Sequence, residues 1–267
     1  MITIELGLIY LSLGAFVGFM AGLLGIGGGG IMVPVLTTLF LYQGIALERV
    51  VHLALGTSMA SIIFTSLSSM RAHNARGGVD WLVVKPMAIG VIVGVFSATY
   101  IATLAKASYL AIFFSMFMAY SATQMFLDKK PKPSSNITGS PEKIIAGAGI
   151  GLISALVSIG GGTLTVPYLL WRNFDLKKAI GTSAALGFPL SVGGTVGYIV
   201  NGWSHTSSEA GTLGLVYLPA VIFISMSSFF FAPLGARYAH RLPVPTLKKV
   251  FAVMMIALSI KMLSSVV

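Results

Sequence analysis

Gly25-Ile26-Gly27-Gly28-Gly29-Gly30-Ile31-Met32-Val33-Pro34 returns in the second half of the chain as Ser158-Ile159-Gly160-Gly161-Gly162-Thr163-Leu164-Thr165-Val166-Pro167. Consecutive glycines do not make ordinary helix, because each costs about 1 kcal/mol against alanine in a helix interior. Each half of the chain therefore holds one broken segment. Irregular backbone at membrane depth is tolerated only where protein or a water-filled cavity satisfies its polar groups, and membrane carriers bind solutes at such breaks.

The surrounding sequence is membrane sequence. Of 267 residues 56% are hydrophobic and 9% charged, against about 25% charged in an ordinary soluble domain. The mean hydropathy is +0.92. Apolar stretches of roughly 20 residues, enough to cross about 30 Å of hydrocarbon as helix, fall at 50–70, 81–104, 107–127, 178–200, 212–234 and 246–266. The remaining apolar pieces are interrupted: 4–24 is followed by 31–42, and 143–158 by 163–171. The second member of each pair is too short to span unaided. Segment 4–24 has no basic residue before it, only Glu5, and does not read as a cleaved signal peptide. The absence of cysteine excludes a disulfide or a thiolate metal site. The formal charge of +10 lies between hydrophobic spans. That is a membrane-orientation pattern, and nucleic acid is not expected as a partner.

The linker Asp128-Lys129-Lys130-Pro131-Lys132-Pro133-Ser134-Ser135-Asn136 divides the chain near its middle. Correspondences run across it: Gly18 with Gly151, Val33-Pro34 with Val166-Pro167, Gly56-Thr57-Ser58 with Gly181-Thr182-Ser183, Pro86 with Pro219, Phe114 with Phe251 and Met125 with Met262. The chain is read as a duplication, with a first membrane repeat at 1–128, a linker at 129–142 and a second repeat at 143–267. If the basic linker is cytoplasmic, loop 71–80 and residues 172–178 and 237–249 fall on the same side, and 43–49 and 201–212 fall outside. Each half is then a hairpin plus three crossings, an odd number, so the halves face opposite ways and both termini are non-cytoplasmic. The expected fold is an all-α polytopic membrane protein of two inverted-topology repeats, each a glycine-broken re-entrant hairpin plus three transmembrane helices. Ten short helices have the same parity and remain an alternative.

All seven acidic residues, Glu5, Glu48, Asp80, Asp128, Glu142, Asp175 and Glu209, lie in loops or at span ends. A buried carboxylate is what binds a proton or cation in many carriers, so a cation substrate is disfavoured. The interior instead offers glycine loops leading into helix starts. A helix N-terminus presents unpaired N–H groups and roughly half a positive charge, and glycines allow close approach, which suits a small oxyanion. Candidate binding residues are Gly27, Gly28, Gly29, Gly30, Gly160, Gly161, Gly162 and Thr163, with hydroxyls from Thr57, Ser58, Thr182 and Ser183 facing the loops. Pro34 and Pro167 are placed near the first helical turn, where a missing N–H costs little. His52, Asn74, Arg76 and Lys177 are candidates for a gate or vestibule, although interfacial or orienting roles account for them more simply. Gly14, Gly18, Gly22, Gly90, Gly94, Gly147 and Gly151, at four-residue spacing, read as helix packing. Met116, Met118, Met125, Met254, Met255 and Met262 read as packing too, and Trp81, Tyr109, Trp171, Trp203 and Tyr217 as interfacial anchors.

These paired motifs resemble the TauE/SafE family of sulfite exporters, over nearly the whole chain. The resemblance rests on the two Gly-rich loops running to Val-Pro, the two Gly-Thr-Ser motifs, Arg71 to Gly77, and Pro86 and Pro219. It implies a transporter of a small sulfur-containing anion such as sulfite, thiosulfate or an organosulfonate, moved outward by alternating access at a midplane site in a bacterial inner membrane. No cofactor and no metal are expected; the partners are the anion and the lipid bilayer, and a homodimer is left open. An anion channel on the same loops is the alternative. An intramembrane enzyme ranks low: there is no paired carboxylate, no His cluster and no Cys, and neither Ser58 nor Ser183 has an activating His in its motif, so no catalytic residue is expected.

Overall fold

The computed structural model describes residues 4–24, 28–127, 139–205, 211–238 and 244–266. Gly27 and the linker residues 128–138 lie outside them. Among the described residues there are ten α-helices: α1 (Ile4–Leu24), α2 (Gly29–Tyr42), α3 (Leu47–Asn74), α4 (Trp81–Leu104), α5 (Ala107–Leu127), α6 (Ser140–Leu156), α7 (Gly162–Trp171), α8 (Leu176–Asn201), α9 (Leu218–Tyr238) and α10 (Val244–Val266). Seven are long and apolar enough to cross a bilayer, the six expected spans together with α1. The protein is an all-α, multi-pass membrane protein.

The two short helices follow the glycine breaks. With 14 and 10 residues, α2 and α7 rise about 21 Å and about 15 Å, less than the roughly 30 Å of a hydrocarbon core. The end of each is held against the helix that precedes it. Gln43, just past α2, donates from Nε2 to Tyr10 Oη of α1 at 2.8 Å. Arg172, just past α7, pairs with Glu142 near the start of α6 and stacks 4.5 Å from the centroid of Trp171.

Helices α3 and α8 form the centre. In their most apolar windows 83% and 61% of residues are buried, the highest shares among the seven. Around them α1 packs on α9 and α6 on α4, α9 on α3 and α4 on α8, and α5 on α10. Every one of these pairs joins the two halves, and exchanging the halves maps the set onto itself. Close approach is made by small residues. A Cβ at Gly90 would fall 1.9 Å from Ile144 O, and at Gly94 2.0 Å from Ala148 O. Gly14, Gly18, Gly147 and Gly151 likewise face the backbone of α9 or α4.

The exterior is apolar, as hydrocarbon requires: Leu82, Tyr100, Ile222 and Phe230 are more than half exposed. Met116 belongs with them at 68% exposure, so it faces outward, whereas Met118, Met255 and Met262 are buried. The expected span at 212–234 also begins later. Thr212–Leu213 (β1) and Val216–Tyr217 (β2) form a small antiparallel ribbon turned at Gly214, whose φ is +57°, and α9 starts only at Leu218. Tyr217 is consequently no exposed anchor; its ring packs edge-on against Phe40 with centroids 5.6 Å apart.

Candidate functional site

Both glycine breaks lead into helices in the same register. Helix α2 begins at Gly29 with Gly28 as N-cap, and α7 at Gly162 with Gly161 as N-cap; neither has a side-chain cap. Their first N–H groups therefore have no partner within the helix. Pro34 and Pro167 are the sixth residues of these helices, not first-turn residues. Each removes the N–H that would otherwise serve the carbonyl of Gly30 or Thr163.

The two breaks touch. A Cβ added at Gly29 would lie 1.6 Å from Ser158 O and 3.3 Å from Ile159 Cα, so only glycine admits the contact. Ser158 ends α6 in the left-handed conformation, with φ at 48°, which costs a non-glycine residue roughly 1–2 kcal/mol. Two backbone bonds, from Ser158 N to Ala155 O and from Ile159 N to Ser154 O, close the helix there. The Ser158 hydroxyl donates to Leu55 O of α3 at 3.0 Å and fixes the corner against the central helix.

The Gly-Thr-Ser motifs divide their labour. A Cβ at Gly56 would lie 2.0 Å from Leu215 O, and at Gly181 2.2 Å from Gly78 O. Next to them, Thr57 Oγ1 accepts from Tyr217 N and Thr182 Oγ1 from Asp80 N, each at 3.0 Å. The threonines thus fasten the chain entering α9 and α4, each across to the other half. This fixes the correspondence Asp80 to Tyr217, which puts Pro86 opposite Phe223 and Pro219 opposite Leu82. Pro86 and Pro219 are not equivalent; they sit about one turn apart in their helices. The serines differ from the threonines. Ser58 and Ser183 are 0% and 1% exposed, and neither hydroxyl has a hydrogen-bond partner among the described residues.

Ser183 opens on a small pocket of about 30 Å³, lined also by Gly160, Gly161 and Gly162 and, from α3, by Thr65, Ser66 and Ser69. One water needs about 10–15 Å³ by this measure, so there is room for about two or three water-sized groups. Thr65 donates to Ser228 Oγ at 3.0 Å, and Ser66 Oγ lies 3.2 Å from Ser191 Oγ. Thr163 and Thr165 carry further buried hydroxyls without partners among the described residues. At the first break the space is filled: Gly28 abuts Val17, and a Cβ at Gly30 would lie 3.1 Å from Met255 Sδ and 3.2 Å from Met118 Sδ.

Thr65 and Ser69 escape a search for repeats, because their counterparts in α8 are Leu190 and Gly194, and Ser66 matches Ser191 only as an isolated serine. The signal that could have found them is the density of hydroxyls on α3, at Ser58, Ser61, Thr65, Ser66, Ser68 and Ser69.

The gate and vestibule candidates lie elsewhere. His52 is 7% exposed, and its Nε2 stands 3.0 Å from both Ala102 O and Ala105 O, where its N–H donates to the end of α4. Together with Arg49 and Lys106 it borders an open recess of about 610 Å³ at the ends of α3, α4 and α10 and the start of α5. Asn74 Oδ1 accepts from Trp81 Nε1 at 2.9 Å. Arg76 and Lys177 are exposed. None of the four lines the small pocket.

A polar break enclosed by apolar helices that cross a bilayer is the architecture of a multi-pass membrane transporter. The family described as sulfite exporter TauE/SafE matches residues 10–262, and the chain belongs to it. It is 37% identical over 256 residues to a probable membrane transporter protein of Haemophilus influenzae, covering 96% of this chain and 97% of that one. It is 26% identical over 234 residues to one of Methanocaldococcus jannaschii, covering 86% and 85%, and 28% identical over 244 residues to YdhB of Bacillus subtilis, also a probable membrane transporter protein, covering 86% and 89%. No solved structure matches.

Proposed function

We propose that the protein is a secondary carrier that exports sulfite or a related small sulfur oxyanion across a bacterial inner membrane, by alternating access at the meeting point of the two breaks. The observation that carries this reading is the contact of Gly29 with Ser158, two residues before the pocket at Gly160 to Gly162. It sets the uncapped start of α2 against the turn that leads into the uncapped start of α7, and each start carries about half a positive charge. The pocket adds neutral hydroxyls and has room for a solute of a few heavy atoms.

Two inverted repeats fit the exchange symmetry of the helix contacts. The closures of Gln43 on Tyr10 and Arg172 on Glu142 support re-entrant hairpins. With the basic linker 129–142 in the cytoplasm, the loops around Arg76 and Lys177 lie inside, the recess at His52 lies outside, and both termini are non-cytoplasmic. Rocking the halves about α3 and α8 then exposes the pocket to each side in turn.

Purified protein in liposomes should move sulfite in a saturable manner and show counterflow, and Gly161→Leu, which fills the pocket, should abolish the flux while the protein still inserts. Flux no greater than empty-vesicle leak for sulfite, thiosulfate and methanesulfonate alike would refute the reading.

A further inference from the structure

We propose that the pocket between α3, α7 and α8 selects singly charged oxyanions over doubly charged ones, using hydroxyls and helix ends in place of a cation. This rests on the reading of the glycine breaks as the transport site and adds to it the charge state of the transported species.

The pocket contains no charged side chain. Its polar groups are Thr65, Ser66, Ser69 and Ser183, together with the backbone at Gly160 to Gly162. The charged groups and histidines on the elements around it lie toward helix ends: Glu48, Arg49, His52, Arg71 and His73 on α3, Asp175, Lys177 and Lys178 at the start of α8, Glu142 and Lys143 on α6, Arg172 after α7, Glu5 on α1, Asp80 and Lys85 at the start of α4 and Arg237 on α9; the hydroxyls of Tyr10, Tyr168 and Tyr198 are engaged with Gln43, Glu142 and the Ala155 carbonyl. The positive potential therefore comes from the starts of α2 and α7, about half a charge each, or about one in total. One negative charge is balanced by that; a second is not. The cost of desolvating an ion grows with the square of its charge, so a dianion carries roughly four times the penalty of a monoanion into the same site.

The hydroxyl chemistry agrees. Ser183 is 1% exposed, lines the pocket, and has no partner for its Oγ among the described residues; that Oγ lies 3.9 Å from where a Gly161 Cβ would stand. A hydroxyl both donates and accepts, so it can give its proton to an S–O⁻ oxygen or receive one from an S–OH group. A protonated oxyanion uses both capacities, whereas a fully ionised one can only accept. Hydrogensulfite in its S–OH form matches in both charge and hydrogen bonding; a monosulfonate matches in charge alone.

The test uses sulfite, whose second ionisation falls near neutrality, beside methanesulfonate, which stays singly charged throughout. In proteoliposomes at fixed total sulfite, the initial rate should fall by about tenfold per pH unit above that ionisation, following the monoanion, while methanesulfonate flux stays level and so controls for titration of the protein. Ser69→Lys, which adds a cation at the pocket, should flatten the sulfite profile, and Ser69→Gln should not. Sulfite flux that is level or rises with pH while methanesulfonate stays level would overturn the selection by charge, and so would a wild-type profile unchanged in a folded Ser69→Lys protein. Intact flux of both anions in Gly161→Leu would instead remove the site itself. Should Ser69→Lys fail to fold, the wild-type pair of profiles decides the matter alone.

Discussion

The backbone N–H of Tyr217 donates to Thr57 Oγ1 at 3.0 Å, and so ties the ribbon before α9 to the central helix of the other half. Thr182 does the same for Asp80 before α4. Replacing either threonine by valine keeps the shape and removes the acceptor of a partly buried N–H, which costs about 1 kcal/mol. Thr57→Val and Thr182→Val should each lower the melting temperature in detergent, and serine at either position should restore most of it. An unchanged melting temperature in both valine variants would mean that these bonds do not hold the halves together.

Ser183 should behave in the opposite way. Its buried hydroxyl has no partner among the described residues, so removing it relieves a desolvated polar group rather than breaking a bond. Ser183→Ala should melt at or above the wild-type temperature while the KM for sulfite rises about tenfold, the equivalent of about 1.4 kcal/mol of lost binding. The combination of more stability and less affinity separates a binding residue from a packing one. Unaltered KM would assign Ser183 to packing.

Much of this division was legible in the sequence, and the reason is duplication. Two copies of a glycine break and of Gly-Thr-Ser mark positions where backbone geometry has to be the same twice, and the helix starts at Gly29 and Gly162 keep that register. Residues that serve only one half leave no such trace. Thr65 and Ser69 face Leu190 and Gly194 across the repeat, and only the folded chain brings them beside Gly161. The threonines' true partners were hidden for another reason: a hydroxyl that accepts from a loop N–H 160 residues away, as Thr57 does from Tyr217, looks the same in sequence as one awaiting a ligand. Periodicity likewise marked Met116 as helical without saying whether its face meets protein or lipid.

Helix packing gives a contrast between two glycines at the same contact, one making it and the other next to it in the chain. Gly94 would put a Cβ 2.0 Å from Ala148 O, while Gly149, on the other side of that carbonyl's helix, has nothing within 4 Å. Gly94→Val should cost at least the roughly 1–3 kcal/mol typical of overpacking. Gly149→Ala should stabilise α6 by up to about 1 kcal/mol through helix propensity. Thermal unfolding in detergent should therefore move in opposite directions for the two variants, and equal shifts would show that α4 and α6 do not pack through Gly94.

Orientation can be measured directly because the natural chain has no cysteine. Arg76 and Ser204 are exposed and occupy equivalent loops of the two halves, before α4 and before α9; Tyr42 and Asp175 are exposed near equivalent helix ends. If the halves face opposite ways, members of each pair lie on opposite sides of the membrane. A membrane-impermeant maleimide added to intact cells should then label Ser204→Cys and Tyr42→Cys, and label Arg76→Cys and Asp175→Cys only in inverted vesicles. Labelling of both members of a pair from the same side would mean parallel repeats. Parallel repeats are related by an axis along the membrane normal rather than one in its plane, so exchanging the halves would not interchange the two faces of the membrane, and the inverted-repeat reading of alternating access would fall.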